Sequence, residues 1–382
     1  MDVELFWTGS YYNKNTYGSR LMGKEWLIMH GEHFVAEISQ TGLAKISQAR
    51  FMPYDLWFDM ADDIDTRVNN LGNFYFWCAS RVLTLDRKYA KEILGSIGAM
   101  QGRTDKDRAQ IALSYHCLTL TDIYWVKEKD EDISFSDINL YENHLSNAFV
   151  DLSLRGRSMT VQNAHLIADN ASTSGVFPKA WLRREDGLYL LKDGGKENVK
   201  SEIMASRIAG CFDCNLVEYN AEEYEGLMVS SCRLITSLKV SMASREAFEI
   251  YAVNRDTDPT DELIRLDAYG YYMMNIIDYL VGNTDRHWGN WGVLIDNETA
   301  RPLRLYDLMD FNQSFKSYDD PDGALCQTTL PRHISQRQAA VEAVRKIGLN
   351  QKKEIDMSVF DGRDDLREMF IKRLEILKNI RK

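Results

Sequence analysis

Three polar residues carry the chemistry that this chain could perform. Asp285 and Asn290 lie in Gly282-Asn-Thr-Asp-Arg-His-Trp-Gly-Asn290, and Asp310 opens Asp310-Phe-Asn312 twenty residues later. An acid that can orient a hydroxyl nucleophile, an amide oxygen five residues on and a second acid after a short hairpin are the parts of a phosphotransferase. Carboxylate and amide oxygens are hard ligands that suit a Mg²⁺ ion still carrying several waters. The spacing therefore predicts Asp285 as catalytic base, with Asn290 and Asp310 holding Mg²⁺ against the phosphates of ATP. Asp307, three residues before Asp310, is either a second metal ligand or a polar residue at a strand end. His287 is expected to fix the loop by packing or hydrogen bonding, and Trp288 and Trp291 to serve as core or wall.

Phosphoryl transfer also needs a cation on the phosphates. Lys192 ends the apolar run Gly187-Leu-Tyr-Leu-Leu-Lys192, which drives its stem through a sheet and lets the ammonium emerge in a cleft. Glu202, on the next helical stretch, is the natural partner to hold it. The turn Ser172-Thr173-Ser174-Gly175 offers backbone N–H groups to a phosphate, and Lys179 adds a second positive charge beside it.

The elements that must position these groups follow from periodicity and turn residues. Residues 26–29 and 34–38 flank His30-Gly-Glu32 and read as a hairpin, followed by a helical stretch over about 64–100. A strand is expected over 117–126 and a hairpin through Glu185-Asp-Gly187. A helix is expected over 197–209, with Ile203, Met204 and Ile208 on one stripe, then another strand over 226–229. Asp258-Pro259 starts a long helix that ends near Gly282, leaving Asp285 in the loop beyond it. Two short strands, 291–295 and 303–306, and two tail helices, about 334–347 and 363–380, complete the chain. The fold class predicted is α+β: a two-lobed kinase-like layout with a β-rich N-lobe, a mainly helical C-lobe and an extra N-terminal α+β module. The expected boundaries are 1–105 for that module, 106–255 for the N-lobe and 256–382 for the C-lobe.

Composition sets outer limits. The chain has 382 residues and 45% hydrophobic content, ample for sizeable cores. A net charge of −11 argues against direct nucleic-acid binding, which draws on Lys and Arg to neutralise phosphates. No run of eighteen apolar residues occurs, so no membrane span is expected. The N-terminus lacks the basic and apolar regions of a secretory signal, and a cytoplasmic location is expected. Six scattered cysteines fit reduced thiols, and the lone Cys211-Phe-Asp-Cys214 is expected to do ordinary packing.

The chain resembles the HipA-like serine/threonine kinases, which include bacterial persistence toxins, and is distantly similar to the phosphatidylinositol kinases. The resemblance rests on Ser172-Thr-Ser-Gly-Val-Phe-Pro-Lys179, Tyr189-Leu-Leu-Lys192, residues 198–202, Asn283-Thr-Asp-Arg-His-Trp-Gly-Asn290 and Leu308-Met-Asp-Phe-Asn-Gln-Ser-Phe315, with a weaker string over 117–125. It implies ATP and Mg²⁺ as cofactors, Asp285 as base, Asn290 and Asp310 as metal ligands, Lys192 as nucleotide lysine and 172–179 as the loop over the phosphates. It further implies autophosphorylation at Ser172, an unidentified protein substrate and a small antitoxin-like regulator. Where the family often has Pro three residues before the metal acid, this chain has Asp307. Two alternatives remain: a lipid or metabolite kinase, disfavoured by the lack of basic clusters for an anionic bilayer, and a nucleotide-binding interaction module without turnover.

Overall fold

The computed structural model describes residues 24–84, 104–143, 168–169, 179–192, 195–224 and 226–380. Its first body is a four-stranded antiparallel sheet covered by helices. Strands β1 (Glu25–His30) and β2 (His33–Ser39) form the expected hairpin, turning at Gly31 with φ of +54°, a left-handed value that glycine adopts without penalty. Strand β3 (Ala44–Ile46) pairs with β2, and helix α1 (Ile64–Ser80) follows, capped by Asp63 accepting from the Thr66 N–H. Strand β4 (Leu83–Thr84) comes next. The helix expected over 64–100 thus ends at Ser80, and residues 85–100 lie outside the described ones.

Helix α2 (Asp105–Leu113) starts on a Thr104/Asp107 capping box and packs on α1, and strand β5 (Tyr124–Glu128) pairs with β1. The strand expected over 117–126 is therefore shorter and later. His116 and Cys117 have φ of +59° and +55°, which an extended strand cannot accommodate. The short helix α3 (Phe135–Ile138) closes this body, whose core joins Ile28, Val35, Phe74, Trp77 and Trp125 to Ile138 and Leu140. The boundary expected at 105 falls inside this core, because β5 completes a sheet begun about a hundred residues earlier.

The second body carries the strand that ends on Lys192. Beyond β6 (Ala168–Asp169), which pairs with β4, strands β7 (Lys179–Arg184), β8 (Gly187–Lys192), β9 (Asn220–Tyr224) and β10 (Leu227–Arg233) form an antiparallel sheet in the order β7-β8-β10-β9. Helix α4 (Lys196–Ala209) packs on β10.

The third body holds strand β11 (Val240–Ser244), helices α5 (Arg245–Val253) and α6 (Pro259–Val281), and strands β12 (Gly292–Asp296) and β13 (Arg301–Leu305). Helices α7 (Gln336–Ile347) and α8 (Asp364–Lys378) follow. Strand β11 pairs with β12, so the boundary expected at 255 cuts a sheet. Residues 234–239 form the link between second and third bodies. Helix α6 starts as expected, with Asp258 accepting from the Asp261 N–H and Pro259 in the first turn. It ends at Gly282 in the left-handed region (φ +62°), where a Cβ would also come within 2.4 Å of the Tyr318 ring. The α+β class, with a β-rich part followed by a mainly helical one, is the architecture observed.

Candidate active site

Strand β8 ends on alternating residues, so Leu190 and Lys192 share one face of the sheet. Lys192 is 5% exposed, and its Nζ donates to Glu202 Oε1 at 2.8 Å, to Asp310 Oδ1 at 3.2 Å and to the Tyr219 hydroxyl at 3.2 Å. Glu202, 1% exposed on the inner face of α4, also accepts from the Ser230 hydroxyl. Burial pulls the Lys192 pKa down, but the carboxylates of Asp310 and Glu202 outweigh it, and the ammonium stays charged well above its ordinary range. One lysine thus serves two buried acids, one from each side of the cleft.

Asp310 sits at φ +58°, a conformation uncommon for a non-glycine residue. Its N–H donates to the Tyr219 hydroxyl at 3.2 Å, so Tyr219 receives both that N–H and the Lys192 ammonium. The arm leading to Asp310 is registered against the segment after α4, where the Leu308 N–H donates to Asn215 O and the Val217 N–H donates to Leu308 O.

The loop after α6 is built by short-range hydrogen bonds. Asn283 donates to Asp278 Oδ1 and accepts from the Asp285 N–H at 3.2 Å. The Asn290 amide nitrogen donates to Asp285 O at 2.8 Å, which leaves the amide oxygen as the group that can meet a cation. His287 Nδ1 accepts from the Gly289 N–H, the loop-fixing role expected of it, and its Nε2 lies 3.9 Å from Asp285 Oδ1. The Asp285 side chain is 41% exposed, the most accessible carboxylate of the set.

Arg286 knits these parts together. Its guanidinium makes a two-point pair with Asp278 of α6, at 2.9 Å for both bonds, and donates to the carbonyls of Asn290 and Met309 at 2.7 Å each. Sequence reasoning missed both Arg286 and Tyr219. An acid on the apolar face of α6, Asp278, eight residues before an arginine, was the available signal for the first. Tyr219 stood in an ordinary alternating stretch and had none.

Lys192, Asn290 and Asp310 line one open cleft. Its remaining wall is mostly apolar, including Trp181, Leu190, Val217 and Met242. Asp307 is not among the lining residues and pairs with Arg304 at 2.8 Å. Lys179 occupies the register position opposite Lys192, and its side chain lies outside the described residues. Ser172, Thr173, Ser174 and Gly175 also lie outside them. Cys214, of the lone Cys-x-x-Cys, packs against the core of the third body, and burial pushes its thiol up to about 12.

Solved proteins similar to the chain include the following two. One is the Helicobacter pylori proinflammatory kinase CtkA, 17% identical, with a TM-score of 0.40, covering 53% of this chain and 92% of that one. The other is HipA of Shewanella oneidensis MR-1, solved with HipB and its operator DNA, 11% identical, with a TM-score of 0.47, covering 92% and 91%. No protein-family profile matches the chain, and no curated protein matches it. The likeness is loose at those scores, and the geometry of the lysine, carboxylates and amide stands independently of it.

Proposed function

We propose that the protein is an ATP- and Mg²⁺-dependent, HipA-like serine/threonine protein kinase. The observation that carries this reading is Lys192, held between Glu202 and Asp310 in a cleft that Asn290 also lines. The donor set fits the metal. Among the described residues no cluster of three or more His, Cys, Asp or Glu could cage an ion, whereas one carboxylate and one amide oxygen suit a Mg²⁺ that completes its shell with water and phosphate oxygens. Asn290 and Asp310 would hold it, and it would supply neutralisation of phosphate charge.

The chain's own groups take the other roles. The apolar wall accepts the base and excludes water from it. Lys192, kept protonated by its two acids, meets phosphate oxygens as a positive charge. Asp285, exposed on the loop, accepts the proton of an incoming hydroxyl, and Asn290 braces its backbone. The substrate is proposed to be a protein hydroxyl, with Ser172 of the chain itself as one acceptor and a small antitoxin-like protein as regulator. Among the described residues no helix is long and apolar enough to cross a membrane, and a cytoplasmic location belongs to the same proposal.

Incubation with γ-labelled ATP and Mg²⁺ is expected to label the wild type, with the label mapping to Ser172, and not to label Asp285→Ala or Asp310→Ala. Equal labelling of all three proteins would remove these residues from the chemistry. Tight ATP binding without transfer to any protein would instead favour a binding module.

A further inference from the structure

Lys192 stands opposite Ser230 of β10, a strand that runs on to Arg233 and into the link over 234–239. Leu234 and Ile235 of that link line the cleft with Lys192, Asn290 and Asp310, as do Met242 of β11 and a pair of residues from the first body, Leu120 and Thr121. Both backbone carbonyls of this pair are engaged across the junction. The Thr236 hydroxyl donates to Leu120 O, and the Met242 N–H donates to Thr121 O at 2.8 Å. The turn that presents them is held from within the first body. Arg81 makes a two-point pair with Asp122, at 2.6 and 2.8 Å, and donates to the carbonyls of Cys117 and Tyr124. Thr121 is additionally tied to Thr119 through their hydroxyls and through its own N–H.

We infer that the N-terminal body is a fixed wall of the nucleotide site, and that Leu120 and Thr121 determine how large a base the cleft accepts. This rests on the proposed nucleotide reading. The physical basis is placement and stiffness. The two residues are hydrogen-bonded to the link and to β11 rather than to the strand end that carries Lys192, and a wall anchored at both carbonyls and backed by a buried ion pair cannot yield to a larger ligand without losing hydrogen bonds. Leu120 supplies bulk from a side chain that is almost wholly buried. Removing three of its carbons opens space next to the base, whereas enlarging Thr121 takes space away.

The test compares ligands that share the triphosphate and differ in the base. ATP, N6-benzyl-ATP and inorganic tripolyphosphate, each with Mg²⁺, are titrated calorimetrically against wild type, Thr121→Phe and Leu120→Ala. Thr121→Phe is expected to weaken ATP at least tenfold and leave tripolyphosphate within twofold. Leu120→Ala is expected to tighten N6-benzyl-ATP at least tenfold relative to ATP, a gain that a misfolded protein cannot produce. Unchanged ATP binding by Thr121→Phe together with no gain by Leu120→Ala would overturn the inference and leave the kinase reading standing. Equal weakening of ATP and tripolyphosphate by Thr121→Phe would overturn the placement beside the base. If wild type binds neither ATP nor tripolyphosphate, the nucleotide reading fails, and this inference fails with it.

Discussion

Replacing Lys192 by Met tests the centre of the site with a magnitude the structure supplies. The lysine is 5% exposed, Glu202 1% and Asp310 8%, so its removal leaves two carboxylates enclosed without their shared cation. Deleting one partner of a buried ion pair costs about 3–5 kcal/mol, most of it the penalty on the charge left behind. The methionine stem keeps much of the packing, so the loss is electrostatic. Because the ammonium is held above its unfolded value of ~10.4, its contribution is complete at pH 7.5 and is lost only as the pH rises past that value toward the higher folded one. Urea unfolding at pH 7.5 is therefore expected to show Lys192→Met less stable by about 3–5 kcal/mol. Adding Glu202→Gln removes one stranded charge while keeping a group that accepts from Ser230, and is expected to restore about 2 kcal/mol. Neither variant should transfer phosphate. A Lys192→Met protein within about 1 kcal/mol of wild type would refute the account, since that lies below the range for a broken buried pair. So would a double variant no more stable than the single one.

Two further outcomes follow from groups on either side of the cleft. Arg286→Lys keeps the charge but cannot span Asp278 and two carbonyls at once, so kcat is expected to fall at least ~10-fold, with a higher Mg²⁺ requirement. A wild-type Mg²⁺ titration curve for this variant would rule out the positioning role. His30, 1% exposed between Phe51 and Tyr124, has its imidazole pKa lowered by burial to about 4. Its neutral form favours the folded state, so its contribution is complete above ~6.5 and is lost as the pH falls toward 4, on the order of 3 kcal/mol in all. His30→Leu is expected to flatten that part of the stability curve, and an unchanged acid limb would count against it.

Much of the arrangement was legible where local chemistry decides structure. Asp258-Pro259 and Gly282 bracket helix α6 through capping and left-handed termination, and the turn at Glu185-Asp186 returns β7 onto β8. The strand-then-helix order marks Lys192 and Glu202 as partners, and they meet at 2.8 Å. What was not legible depends on pairing between distant segments. Strand β5 completes a sheet with β1, and β11 pairs with β12 rather than with the sheet before it, so both expected boundaries fell inside bodies. No local pattern encodes such partners. Nor does it encode a tyrosine hydroxyl that receives two donors from separate elements, as Tyr219 does.

The grip of a single guanidinium on α6, the Asn290 loop and the Met309 arm has a mechanical corollary. The Asn290 amide and the Asp310 carboxylate, proposed above to hold the cation, ride on one hydrogen-bonded block, whereas the lysine rides on a strand joined to that block through residues 234–239. Breathing of the cleft would stretch the ammonium-to-acid spacing and leave the amide-to-acid spacing alone. An incoming triphosphate would then find its cation seat already set, with the lysine as the adjustable jaw.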